Sequence, residues 1–149
     1  MRHPVFAGTS RAAAPGCPKR RASKSSLAIL ERAYRGSLEE QYGHIVWLSR
    51  VMKGMGADHA LLLKGDTVMF ARRDQPRISL AIGDTVVHDV SHYASGVQEL
   101  LARKATVFFW WPDAERLRLD THALIEGVLP VCESDMPALI SRFDCVWYW

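Results

Sequence analysis

The stretch ATVFFWW, Ala105 to Trp111, is apolar at every position except Thr106. Similar short apolar runs recur at Leu27–Leu30, Ala60–Leu63, Val128–Val131 and Cys145–Trp149, with amphipathic, helix-like stretches between most of them. A strand with one face in water alternates apolar and polar residues, and these runs leave little room for a solvated face. That is the pattern of parallel strands covered by helices on both sides. The 149 residues suffice for one such core and not for two. The chain therefore reads as α/β: a three-layer α/β/α sandwich around a mainly parallel sheet of about five strands. In such sheets ligands collect where the carboxyl ends of strands meet the next helices, and candidate chemistry is sought there.

Working outward from these runs, Ser26 to Arg32 forms the first strand. Ser37 with Glu40 makes a capping-box pattern, and Leu38, Tyr42, Ile45, Leu48, Met52 and Met55 follow at helical spacing. The first helix is thus expected over about Leu38 to Lys53, ended by Gly54 and Gly56. His59 to Leu63 is the second strand, with Lys64, Gly65 and Asp66 at its carboxyl end; Thr67 to Ala71 fits either more strand or a helical turn. Ile78 to Ile82 is a short extra strand before Gly83-Asp84. A second helix begins near Ser91, with Tyr93, Ala94, Val97, Leu100 and Leu101 on one face, and delivers the chain to Ala105–Trp111. Pro112-Asp113 breaks that strand, and helical turns are expected at Ala114–Leu119 and Thr121–Glu126. The fourth strand ends at Cys132, Ser134 or Asp135 caps a helix reaching about Arg142 with Pro137 in its first turn, and Asp144 to Trp149 closes the sheet.

Charge is distributed unevenly. Residues 1–25 carry Arg2, Arg11, Lys19, Arg20, Arg21 and Lys24 with no acid, which leaves 13 basic against 16 acidic residues in 26–149. The leader, rich in Ala, Pro, Ser and Gly, is expected to be disordered, with 26–149 as the folded domain. An acidic folded part argues against a nucleic-acid partner. No segment approaches the roughly 20 apolar residues of a membrane span. Three cysteines, Cys17, Cys132 and Cys145, form no CxxC and no Cys/His pair at metal spacing, which points to a reducing, cytoplasmic setting.

At the expected rim, Cys132 ends a strand and precedes a helix whose N-terminal dipole favours a thiolate. Glu133 and Asp135 oppose ionisation, and a cysteine that is only a small core residue is the competing reading. Arg35 and Glu40 sit where the first strand turns into the first helix, and Lys64, Asp66 and Asp113 follow later strands; together they outline a binding rim. A capped helix and a tight Gly65-Asp66 turn explain the same residues without a ligand. Glu39 and Glu40 would repel a phosphate, no glycine-rich phosphate signature occurs, and no cofactor is expected. His88 and His92 form an HxxxH pair without an evident third ligand, so no metal site is assigned. Trp110, Trp111, Trp147 and Trp149 are expected on two neighbouring strands, as core or as an aromatic face for another subunit.

The succession LAILERAYRGSLEEQY, LLLKGDTVMFA, ELLARKATVFFWWPDAERLRL and IEGVLPVCESDMPALISRFDCVWYW resembles the DsrE/DsrF/DsrH sulfur-relay superfamily, and within it the small DsrH-type subunit. The resemblance covers about Ser26 to Trp149. It implies a parallel sheet with helices on both faces, homo- or hetero-oligomers with related subunits, and passage of sulfane sulfur as a cysteine persulfide. In the sulfur-carrying members the cysteine lies just after the strand matching Ala105–Trp111. Here Trp110, Trp111, Pro112 and Asp113 stand there. The function expected is therefore an accessory or scaffold subunit of a sulfur relay, with a sulfurtransferase using Cys132, or a small-molecule binding module around Arg35, Lys64 and Asp113, as rivals.

Overall fold

The computed structural model describes residues 24–33, 43–77, 79–88 and 92–149. Five strands form one sheet: β1 (Ser26–Leu30), β2 (His59–Leu63), β5 (Thr106–Trp110), β6 (Leu129–Val131) and β7 (Cys145–Tyr148). Their order is β6-β5-β2-β1-β7 and every pair is parallel. All ten residues of β1 and β2 are buried, as befits the centre of a sheet covered on both faces; eight are apolar, and the polar two, Ser26 and His59, open the strands.

Register sorts the side chains into two layers. Leu30, Leu63 and Phe109 lie in one row of partners and point to one face. There they meet α1 (Gly43–Gly54), α2 (Tyr93–Ala102), a 3-10 helix at Gly65–Ala71 and α3 (Trp111–Arg116) through Val46, Val97, Val68 and Ala114. Ile29, Leu62 and Phe108 form the next row and point the other way, toward Leu139 of the short α4 (Met136–Ile140). Chirality accounts for the division. The steps β1 to β2 to β5 to β6 move across the sheet in one direction, so right-handed crossovers place their helices on one face. The step from β6 back to β7 reverses direction and puts α4 on the other. The expected three-layer α/β/α sandwich is the observed fold.

Several boundaries differ from expectation for identifiable reasons. Trp111 does not end β5 but opens α3, because Pro112, with its fixed φ and missing N–H, suits a first helical turn. Thr67 to Ala71 belongs to the 3-10 helix rather than to a longer strand. Leu80–Ile82 (β3) pairs antiparallel with Thr85–Val87 (β4) as a separate hairpin. Its two-residue loop is Gly83-Asp84, with Gly83 at φ +59, a hairpin signal that was present in the sequence. The two tryptophan pairs are not neighbours: β2 and β1 stand between β5 and β7. Trp147 and Trp149 instead contact each other edge to face, 5.9 Å apart, and Trp147 is 37% exposed on the sheet's edge. Residues 1–23, the Ser37–Glu40 capping pattern and the start of the second helix at Ser91 lie outside the described residues.

His59 ties the amino end of β2 to its surroundings. Its Nδ1 lies 2.9 Å from Ser26 Oγ and its Nε2 3.0 Å from Ser49 Oγ, and all three residues are buried. Burial pushes the imidazole pKa below its ordinary 6.5, and the nearby charge of Lys53 pushes in the same direction. The unfolded chain therefore takes up a proton that the folded protein refuses. The contribution of His59 is complete above about pH 6.5 and is lost as pH falls below it, at up to about 1.4 kcal/mol per pH unit. Urea unfolding at pH 7.5 and 5.5 should show a larger loss for the native chain than for His59→Asn; parallel losses would assign the pH dependence elsewhere.

Candidate functional site

The carboxyl ends of the strands bring together residues far apart in sequence. Glu31 follows β1 and Lys64 follows β2, and the Lys64 Nζ donates to Glu31 Oε1 at 2.7 Å. The Tyr148 hydroxyl, from β7, donates to the other Glu31 oxygen. The Lys64 hydrogen bond, followed by that of Tyr148, holds the Glu31 carboxyl below the usual carboxylate range. The bond to Glu31 raises Lys64 in turn, and burial followed by the Glu31 contact raises Tyr148. At neutral pH this is a closed anion–cation–phenol set across three adjacent strands.

Beside it, Gly65 donates its backbone N–H to Asp113 Oδ2 at 2.6 Å, joining the end of β2 to the first turn of α3. Arg116, one helical turn on, donates from Nε to Asp113 Oδ1 at 3.1 Å and approaches Asp66 Oδ1 at 3.5 Å. Gly65 adopts φ +57, and a Cβ there would stand 2.3 Å from the Glu31 carbonyl oxygen. Only glycine lets the chain turn under β1 at this point. Thr67, fully buried, places its hydroxyl against the Leu30 and Lys64 carbonyls, and its Oγ1 accepts from the Lys64 N–H at 3.1 Å.

β5 and β6 are the adjacent strands whose following helices go to opposite faces, α3 to one and α4 to the other. This divergence opens a crevice in a parallel sheet. An open, largely apolar groove of about 570 Å³ lies there, lined by Lys64, Trp110, Glu133, Met136, Pro137 and Ile140. Cys132, exposed, immediately precedes Glu133 and stands at the N-cap of a 3-10 turn at Glu133–Asp135.

Of the residues singled out from the sequence, Lys64, Asp66 and Asp113 thus share one cluster. Cys132 lies on the same rim at the end of β6, beyond β5. Arg35 and Glu40 lie outside the described residues. Sequence reading missed Glu31, Tyr148 and Arg116; it singled out Trp110, but as core or a subunit face rather than as a wall of the crevice. Glu31 could have been found by the rule that found Lys64, as the first charged residue past a strand's carboxyl end; extending the first strand to Arg32 concealed it. Tyr148 carried no signal, since it sits in an apolar strand and acts through its hydroxyl.

Chemically the rim is saturated: Glu31, Lys64, Asp113 and Arg116 are engaged with one another, and their balance with Asp66, Glu133 and Asp135 is anionic. Among the described residues no three His, Cys, Asp or Glu side chains converge as metal ligands, and no helix is long and apolar enough to cross a membrane. His88 is exposed and bonds Ser79 Oγ at 3.0 Å, and His92 sits at the N-cap of α2.

No protein-family model matches the chain, and no curated protein does. Among solved structures the chain is similar to the ychN protein from E. coli, with a TM-score of 0.66 and 18% identity over 85% of this chain and 99% of that one. At that identity the likeness is one of fold. The architecture is the one that the sulfur-relay resemblance implies.

Proposed function

We propose that this chain is an accessory subunit of a sulfur-relay assembly that does not itself carry persulfide. The observation that carries this reading is the junction of β5 and α3. Where the resemblance calls for a cysteine in a carrier, Trp110, Trp111, Pro112 and Asp113 stand, and Asp113 is committed to the Gly65 N–H and to Arg116. The shared fold with the ychN protein supports the superfamily level of this reading. Apolar side chains left exposed on the β3–β4 hairpin, Leu80, Ile82, Val86 and Val87, offer surface to related subunits. The cytoplasm, a reducing compartment, is the setting in which such a subunit would work.

The second reading, a sulfurtransferase using Cys132, is favoured by one observation: the thiol is exposed at the end of β6, next in the chain to Glu133 of the crevice wall. Incubation with a cysteine desulfurase and cysteine, followed by intact-mass measurement, separates the two. We expect no stoichiometric gain of about 32 Da, the mass of one persulfide sulfur. An adduct mapped to Cys132 would make the chain a carrier.

A further inference from the structure

At the opposite end of the sheet from the rim, where α1 and α2 finish side by side, a second concavity of about 250 Å³ is lined by Trp47, Arg50, Val51, Gly54 and Arg103. The Trp47 indole is 58% exposed, an unusual position for the largest apolar side chain when nothing covers it. Among the described residues the Arg103 guanidinium has no ion pair or hydrogen bond, and its Nη1 lies over Gly54, 2.8 Å from where a Cβ would stand. Arg50 gives its Nη2 to Glu99, while its Nε is buried in the wall without any acceptor. Lys53 and Lys104 lie near the two arginines in sequence, so the Glu99 carboxylate bound by Arg50 does not balance the local positive charge. Helix carbonyl ends attract guanidinium groups and account for Arg103 lying over α1. They do not account for an unpaired guanidinium fork and a bare indole around one hollow.

We propose that this hollow is a binding site for a planar ring that bears an oxyanion, phosphate or carboxylate, with the ring on Trp47 and the anion on Arg103 and Arg50. Guanidinium groups match both oxyanions with paired N–H donors, and the indole face takes a flat ring without demanding a particular hydrogen-bond pattern. The volume falls below the roughly 300–1,000 Å³ of drug-sized pockets, which suits one ring with its charged head. The site is independent of the rim and of the sulfur-relay reading.

Calorimetric titration of the full chain with AMP, benzoate, adenosine and inorganic phosphate tests this. AMP or benzoate should bind saturably, and whichever binds names the source of the anion. For AMP, adenosine and inorganic phosphate alone should each be at least about tenfold weaker, since each lacks one of the two contacts. Trp47→Ala and Arg103→Ala, both at exposed positions, should each weaken binding about tenfold or more while leaving the thermal melt unchanged, and Arg103→Lys should restore only part of the loss. Absence of binding by both ring compounds at about 10 mM, binding indifferent to either alanine variant, or inorganic phosphate binding as tightly as AMP would each overturn the proposal.

Discussion

Gly65→Ala is expected to destabilise the protein by about 2–5 kcal/mol. Of this, about 1–2 kcal/mol comes from holding an L-residue in the left-handed region. About 1–3 kcal/mol more comes from displacing a packed neighbour. The neighbour is not a side chain that can swing aside: the new Cβ would stand 2.3 Å from the backbone carbonyl oxygen of Glu31. Moving either strand end disturbs the Gly65 to Asp113 bond at 2.6 Å and the Lys64 to Glu31 pair at 2.7 Å. A urea denaturation series should show a lower midpoint at unchanged slope. A variant within about 0.5 kcal/mol of the native chain would mean that the turn under β1 is looser than described.

Leu61→Ala and Leu62→Ala are each expected to cost about 3–5 kcal/mol. The pair is informative because the residues are adjacent in β2 and face opposite layers. Leu61 packs with the α1 and α2 side, Leu62 with the α4 side, and their exposures are 1% and 0%. In a strand with one wet face, one of the two substitutions would be nearly neutral. Equal, large losses in thermal or denaturant melts are the signature of a central strand buried on both sides. A cheap Leu62→Ala would mean that the α4 layer does not seal the sheet.

The architecture was legible because burial on both faces writes itself into composition: LAIL and HALLL can hardly be anything but central strands once helical stretches separate them. Gly83-Asp84 also announced its hairpin, though only its first strand was expected. The order of strands was harder. Nothing local in Cys145–Trp149 says that it pairs with Ser26–Leu30 rather than with Ala105–Trp111, and the two tryptophan pairs were accordingly put too close together. Pro112 marks the end of a strand and the start of a helix with the same local constraint, so the sequence shows the break and not that α3 opens there. For the site, Lys64, Asp66 and Asp113 were visible as polar residues just past apolar runs. Their partnership was not, because Gly65 to Asp113 spans 48 residues and Tyr148 to Glu31 spans 117. Trp47 and Arg103 carried a weaker signal: Trp47 falls outside the Ile45, Leu48 and Met52 stripe and so reads as outward-facing, but nothing local joins it to Arg103, which lies 56 residues further on.

The pairing of β1 with β7 also bears on how the chain is made. Asp144 receives the Ser25 N–H at 2.8 Å across 119 residues, and this end of the sheet is completed last. At about 5–20 residues per second of synthesis, β1 waits on the order of 6–24 s before β7 emerges. Throughout that interval one edge of Ser26–Leu30, an uncharged segment, presents unpaired backbone groups, the condition under which nascent strands pair with the wrong chain. Lys24 on one side and Glu31 and Arg32 on the other are the charges that bracket it, the placement by which flanking charges keep an unavoidable apolar strand from pairing with another chain.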